Sequence, residues 1–316
     1  MKQSEKYDRR FSSGYLESWP AWKKARVRKI LSSLGLKSGE QRGLDFGCGR
    51  GEFTRIIKDE LPDWRIDGAD VSGVAVSIAH NNVPDCRFFV LNVESSDKGQ
   101  YDFIFSHHVL EHVEDIDSTI SQIAEMCKPG ALMLHILPSG GKGSLENLIC
   151  EWRSDGFDVN RGCRMFFEHA EHHRRLTAEQ LVSKFELVGC RAVSLRYANK
   201  VFGSIEWITT SSVELISKFT GIRALRSRNY VLPVLLLRSI LILLFAARFP
   251  VTRYSHYRSR YKKRLLYRVS FLLCVLMLPF AMVPDFVVKL LSSIEFRMLK
   301  GRVGSEMYLV LRKIKQ

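Results

Sequence analysis

The carboxy-terminal third of this 316-residue chain has almost no acid. Residues 199–316 hold five Asp and Glu against 21 Lys and Arg, whereas residues 1–198 hold 28 against 27. The net charge of +15 therefore comes from the last third. A basic surface of that kind seeks anions: nucleic acid, anionic lipid or an acidic substrate. No C-x-x-C pair occurs among the seven cysteines, and their number is odd. That argues against a disulfide framework and predicts reduced thiols in a cytosolic protein. The first residues, Met1-Lys2-Gln3-Ser4-Glu5-Lys6, are polar, so no secretory signal is expected ahead of the domain. No internal repeat and no low-complexity tract is present.

The stretch Leu44-Asp45-Phe46-Gly47-Cys48-Gly49-Arg50-Gly51-Glu52-Phe53 stands out against that background. An apolar run meets three glycines at alternate positions, which predicts a tight strand-to-helix turn at the carboxyl edge of a parallel sheet. A dinucleotide fingerprint would read G-x-G-x-x-G; here the spacing is G-x-G-x-G, and Asp45 precedes it. A carboxylate so close would repel a pyrophosphate and suits a ligand carrying an ammonium group. Asp70 ends the next short alternating run, where a carboxylate can accept hydrogen bonds from both ribose hydroxyls. A third run, Cys86 to Val93, ends in Asn92, whose amide can donate to and accept from an adenine edge.

With these residues in place the chain resembles the class I S-adenosylmethionine-dependent methyltransferases over residues 40–200, and again at 304–314. Leu44 to Gly51 resembles that family's first motif, and Asp70 its ribose-binding acid. Tyr101 to Val113 is similar to its fourth strand and following loop, and Cys127 to Pro138 to the turn into its fifth strand. The resemblance implies an α/β fold with a doubly wound, Rossmann-like seven-stranded sheet. It places S-adenosylmethionine on Asp45, Phe46, Gly47, Cys48, Gly49 and Gly51, on Asp70 and Val71, on Asn92 and Val93, and on Ser106.

Methyl transfer to a hydroxyl needs a base as well as alignment, and histidine suits that task at neutral pH. His107 and His108 follow the fourth strand. His172 lies five residues before Thr177, a place occupied by histidine in many relatives. These three are the catalytic candidates. His108-Val109-Leu110-Glu111-His112 also reads as the inverted zinc-protease pattern, but it follows a strand rather than lying on a long helix, and no metal site is expected.

Residues 1–39 predict a leading helical region, either closing over the cofactor or adding to the membrane face, and 40–138 alternating strands and helices. Residues 139–176 read as a substrate-binding lid, with a helix from Thr177 to about Gly189 and a strand over Arg191–Tyr197. Residues 199–303 form an insertion before a last strand at 304–312. That insertion holds two apolar runs, 231–247 and 269–283, separated by residues 248–268 with eight Lys and Arg, no acid, and four interleaved tyrosines. This predicts a helical hairpin dipping into the anionic cytoplasmic leaflet; two full spans, or a buried helical subdomain, are the alternatives. The function expected is O-methylation of a hydrophobic or lipid-linked acceptor at the cytoplasmic membrane face. A catalytically silent membrane scaffold and a nucleic-acid methyltransferase are the rivals, the latter disfavoured by the absence of an Asn-Pro-Pro-Tyr-like motif.

Overall fold

The structure is a computed structural model that describes residues 3–13, 19–91, 98–168, 171–260, 265–298 and 303–314. Two helices lead, α1 (Gln3–Ser12) and α2 (Ala21–Ser33). Strands and helices then alternate: β1 (Arg42–Phe46), α3 (Glu52–Glu60), β2 (Arg65–Asp70), α4 (Gly73–Asn82), β3 (Arg87–Val90), β4 (Tyr101–His107), α5 (Ile116–Met126) and β5 (Cys127–Pro138). After α6 (Leu145–Glu151) a small antiparallel pair follows, β6 (Phe157–Asp158) and β7 (Arg164–Met165). Next come α7 (Ala178–Glu186), β8 (Cys190–Ala198), α8 (Phe202–Ser211), α9 (Val213–Phe219), α10 (Val231–Arg260), α11 (Leu265–Met298) and β9 (Glu306–Lys313). The main sheet has seven strands in the order β3-β2-β1-β4-β5-β9-β8. Its first five strands are parallel. Bonds from Ile314 N–H to Gly189 C=O and from Ser305 N–H to Asn199 C=O run in opposite senses along the chain, so β9 is antiparallel to β8. The expected Rossmann-like methyltransferase sheet is therefore present.

The chain divides into two compact units. The first comprises residues 1–138, 178–195 and 308–316. Its sheet is covered on both faces, as buried parallel strands require. Phe53 of α3 lies against His107 on one face of β4, ring centroids 4.2 Å apart. Phe185 of α7 stacks on His135 of β5, 4.9 Å away, on the other. At the starts of the strands the buried carboxylate of Asp67 accepts from Arg42 (2.7 Å), Tyr101 (2.9 Å) and Arg87 (3.1 Å), tying β1 to β4 together. β1 lies between β2 and β4, so strand order reverses at its carboxyl end, where open sheets of this kind bind ligands.

The second unit comprises residues 139–177 and 196–307, so the segment read as a lid folds with the insertion. Its core joins Ile149 and Cys150 of α6, Ile208 of α8, Ile216 and Phe219 of α9, and Val234 and Leu241 of α10. Glu146 is a buried hub that accepts from Trp207 Nε1 (2.8 Å), Ser204 (3.0 Å) and Arg175 (3.1 Å). Glu295 caps the start of α8 by accepting from the backbone N–H groups of residues 200–203.

α10 and α11 are 30 and 34 residues long, about 45 and 51 Å at 1.5 Å per residue, longer than the two apolar runs. Those runs were bounded at Arg248 and at Pro284-Asp285, yet the helices continue through both. The reason is a buried ion pair: Arg248, fully buried, meets Asp285 at 2.9 Å through Nη2 and 3.0 Å through Nε, and also donates to Thr209 of α8. The polarity of α11 is inverted relative to a soluble helix. Its buried seam is Cys274, Ala281, Asp285, Val288, Ser292 and Glu295, small or polar apart from Val288. Its exposed arc carries Leu272, Leu276, Phe280, Val283, Phe286 and Leu290.

Removing one partner of such a pair strands the other. Asp285→Ala is expected to destabilise the second unit by about 3–5 kcal/mol, and the double change Arg248→Met/Asp285→Ala to recover most of that loss. Thermal melts of the full chain in detergent measure both.

Candidate cofactor site

The site is built at the carboxyl ends of β1, β2 and β4. Gly47, Gly49 and Gly51 all have positive φ, at 80°, 51° and 81°, so the chain leaves β1 in a coil that L side chains resist. A Cβ at Gly47 would stand 2.3 Å from Val109, so this glycine admits the loop after β4 against the turn. Gly49 lies under the ring of Phe11 from α1. Gly47 and Cys48 donate their N–H groups to Ala69 of β2 at 2.7 and 2.9 Å, which holds the turn beside Asp70.

Asp70 is buried, and its carboxylate accepts backbone N–H groups that include those of Gly49 and Ser72, both at 2.9 Å. A carboxylate has about four lone-pair sites, so acceptor capacity remains for a ribose hydroxyl. Burial raises its pKa above the usual carboxylate range. Asp45 is also buried and accepts from Thr54 at 2.6 Å. Burial pushes its pKa up to about 7, with the Asp70 charge adding to the rise. Two buried acids flanking a glycine turn form an electronegative cleft that is best satisfied by a cation. These residues therefore fit S-adenosylmethionine, which brings an ammonium and a sulfonium, and would reject a pyrophosphate. Phe46 is buried at the end of β1, and Val71 follows Asp70 toward α4. The Cys48 thiol is buried and held well above its ordinary pKa by that burial, so it is an inert filler of the turn. Asn92 and Val93 lie outside the described residues.

The structure places Ser106 differently from its neighbours. Its hydroxyl bonds His135 Nδ1 at 2.7 Å, on the face of β4 opposite Phe105 and His107, so only its backbone remains for a cofactor. Burial lowers the pKa of His135 to about 3, keeping that imidazole neutral.

His107 and His108 come together, ring centroids 4.5 Å apart. His107 is 6% exposed and surrounded by Trp19 (4.6 Å), Phe53 (4.2 Å) and Phe105 (6.4 Å). His108 has positive φ, 54°, and both ring nitrogens are engaged: Nδ1 lies 2.9 Å from buried Glu111 and Nε2 3.1 Å from Lys23 Nζ. His172 belongs to the second unit, where its Nδ1 lies 2.9 Å from Glu168. Burial works to raise the Glu168 pKa, but nearby Arg175 and His172 outweigh it and the net shift is downward.

Of the two places the sequence offers the leading region, over the cofactor or on the membrane face, its contacts fall beside the glycine turn. Asp8 of α1 accepts from Ser72 Oγ at 2.6 Å and Val74 N–H at 3.2 Å, bonds that lower its pKa. Trp19 donates its backbone N–H to Glu52 at 2.7 Å, and Lys23 stands 5.0 Å from the Trp19 ring centroid. Nothing in the one-dimensional pattern of residues 1–39 marks these as facing the glycine turn.

A switch-point glycine turn flanked by two buried carboxylates, on this sheet, defines the class I S-adenosylmethionine-dependent methyltransferase architecture. A methyltransferase-domain family model matches residues 19–195, more than half the chain, and the chain belongs to that family. It is 26% identical over 114 residues to malonyl-[acyl-carrier protein] O-methyltransferase of Acetivibrio thermocellus, covering 35% of this chain and 40% of that protein. It is 23% identical over 193 residues to trans-aconitate 2-methyltransferase of Deinococcus radiodurans, covering 58% and 74%. Among solved structures, Haemonchus contortus phosphoethanolamine N-methyltransferase 2, bound to phosphomonomethylethanolamine and S-adenosylhomocysteine, shares the fold at TM-score 0.50 and 16% identity, over 92% of this chain and 53% of that one. The chain spans less than half the length of the malonyl-[acyl-carrier protein] O-methyltransferases it matches.

The raised Asp45 pKa has a measurable sign. A bound cation favours the ionised carboxylate, so affinity for S-adenosylmethionine is expected to fall as pH drops from 8 to 6, approaching about tenfold per unit once Asp45 is protonated. Asp45→Asn should be weaker at pH 8 and flat across that range; calorimetric titration at each pH checks this.

Proposed function

We propose that the protein is an S-adenosylmethionine-dependent methyltransferase that works at the cytoplasmic face of a membrane on a hydrophobic or lipid-linked acceptor. The observation that carries the membrane part of this reading is the inverted polarity of the α10–α11 hairpin. Both helices have a mean hydropathy of 2.3 in their most apolar window, and only 11% and 22% of those windows is buried. Water would penalise such a surface, whereas acyl chains would not.

The position of the cations refines the expected dip. Arg253, Arg258 and Arg268 lie near the hairpin tip, and four more Lys and Arg fall between residues 260 and 264. A tip-first dip would carry that charge to the deepest point. α8 packs against both long helices, so one side of the hairpin is covered by protein. A hairpin lying along the surface, with its apolar arc in the acyl region and its tip at the phosphates, satisfies both facts. Tyr254, Tyr257 and Tyr267 cluster there with Phe271, as aromatic groups do at head-group level.

Within the cleft, Asp45 and Asp70 are suited to holding the cofactor, which when bound supplies a methyl group already activated by the sulfonium charge. The chain's own residues supply alignment and exclusion of water, with Trp19, Phe53 and His107 forming an aromatic wall beside the glycine turn. Oxygen is the favoured acceptor atom, in keeping with the O-methyltransferase name of one relative.

The test is transfer of a deuterated methyl group from S-adenosylmethionine into vesicles made from a total lipid extract of the source cells. Label is expected in the lipid phase with the full chain and not with Asp70→Ala. The triple variant Leu272→Ser/Leu276→Ser/Phe280→Ser should bind cofactor normally, fail to float with anionic vesicles and transfer little label. Label appearing only in water-soluble products would overturn the membrane reading.

A further inference from the structure

Most cations of the α10–α11 hairpin are engaged by protein. Arg248 and Lys289 meet the two oxygens of Asp285 at 2.9 and 2.6 Å. Arg253 donates to the Ser211 carbonyl, and Arg258 lies 6.0 Å from the Tyr254 ring centroid. Arg268 is engaged as well. Two cations differ: among the described residues the side chains of Arg238 and Arg297 meet no hydrogen-bond, ion-pair or ring partner. The two long helices hold two acids, Asp285 and Glu295. The first is taken by Arg248 and Lys289, and the second caps α8. The sequence that follows α11, Leu299-Lys300-Gly301-Arg302, adds two cations and no acid.

Arg238 and Arg297 stand at about the same level of the hairpin. Contacts of Tyr257 with Tyr267, Tyr254 with Phe271 and Arg248 with Asp285 run in opposite senses along the chain, so the helices are antiparallel. Arg238 precedes Arg248 by about 15 Å along α10, and Arg297 follows Asp285 by about 18 Å along α11, both away from the tip. Both also border apolar surface. Leu276, Val283 and Leu290 are exposed at intervals of two helical turns, and Arg297 comes next in that row. Arg238 is half-buried, one turn from Leu235 and from Ile242, which are exposed. A cation set into a surface that meets acyl chains is costly unless an anion comes to it. Arginine is long enough to reach the head-group level, and its planar fork matches two phosphate oxygens.

We infer that Arg238 and Arg297 anchor the head-group phosphate of an anionic phospholipid, at the end of the hairpin opposite its tip. The inference rests on the membrane reading and names the lipid partner. It gives the hairpin two points of contact with the phosphate layer, the tip and this pair, with the apolar arc between them. Two such points hold a helix pair along the surface rather than tip-down. A zwitterionic head group would bring its own ammonium to a region whose acids are already used, so lipid of net negative charge is preferred.

The experiment floats the full chain with vesicles of phosphatidylcholine, or of equal parts phosphatidylcholine and phosphatidylglycerol. Wild-type protein should prefer the mixed vesicles, less so as salt rises. The double variant Arg238→Gln/Arg297→Gln should bind mixed vesicles at least about tenfold more weakly, and bind phosphatidylcholine within about threefold of wild type. Its affinity for S-adenosylhomocysteine should be unchanged, which shows that it folds. Arg238→Lys/Arg297→Lys should keep most of the preference. Arg191→Gln/Arg196→Gln removes the same charge from exposed positions on β8 and should cost less than about twofold. An equal loss in that control would mark net charge rather than a site and overturn the inference. Glycerol phosphate at matched ionic strength should not compete; competition would mark a free phosphate as the ligand and overturn it too. A double variant with wild-type preference overturns the inference while the membrane reading stands. Wild-type protein that floats with neither vesicle overturns the membrane reading, and the inference with it.

Discussion

Three left-handed glycines in five residues are the constraint on which the first unit depends. Only a coil of that hand lets β1 turn into α3 while Gly49 N–H reaches Asp70 and Val109 closes on Gly47. A side chain at Gly47 would meet both a forbidden φ and a methyl group at 2.3 Å. The turn therefore joins three strands: β1 carries it, β2 is tied to it through Ala69 and Asp70, and the loop after β4 rests on it. The leading helices are held by polar contacts that include Asp8 with Ser72, Lys24 with Glu52 and Arg28 with Asp59. A cleft with two buried carboxylates is left at the switch point of the sheet, and its charge selects a cationic ligand over a pyrophosphate.

Much of this was legible in the residues themselves. The apolar run ending in Asp45, the alternate glycines and Asp70 at the end of the next strand are local patterns, and local patterns survive in one dimension. The strand over 304–312 was also readable, as a short apolar run that is buried on both faces. The face of β4 occupied by Ser106 was not, since it depends on which strand lies alongside; His135 decides it. The partners of His108 were hidden for the same reason: Lys23 lies 85 residues away in sequence. A charge 85 residues from its partner leaves no periodic trace.

The insertion shows the opposite failure. Hydropathy located both apolar runs, but stopped each at a charged residue. Arg248 and Asp285 lie 37 residues apart and neutralise each other inside the helix pair, so two apparent helix ends become the inner seam of one hairpin. The face that resembles a soluble core in composition is the face turned outward. Charge is partitioned along the chain in the same way: a nearly neutral cofactor-binding part and a cationic hairpin whose acids are mostly buried in pairs or caps.

Calorimetric titration of the full chain with S-adenosylmethionine and with NAD tests the central claim most directly. The two-carboxylate cleft predicts saturable binding of S-adenosylmethionine, no detectable binding of NAD, and a loss of at least about thirtyfold in Asp70→Ala, which removes a buried carboxylate from the cleft. Binding of NAD in preference to S-adenosylmethionine, or an Asp70→Ala variant with unchanged affinity, would contradict it.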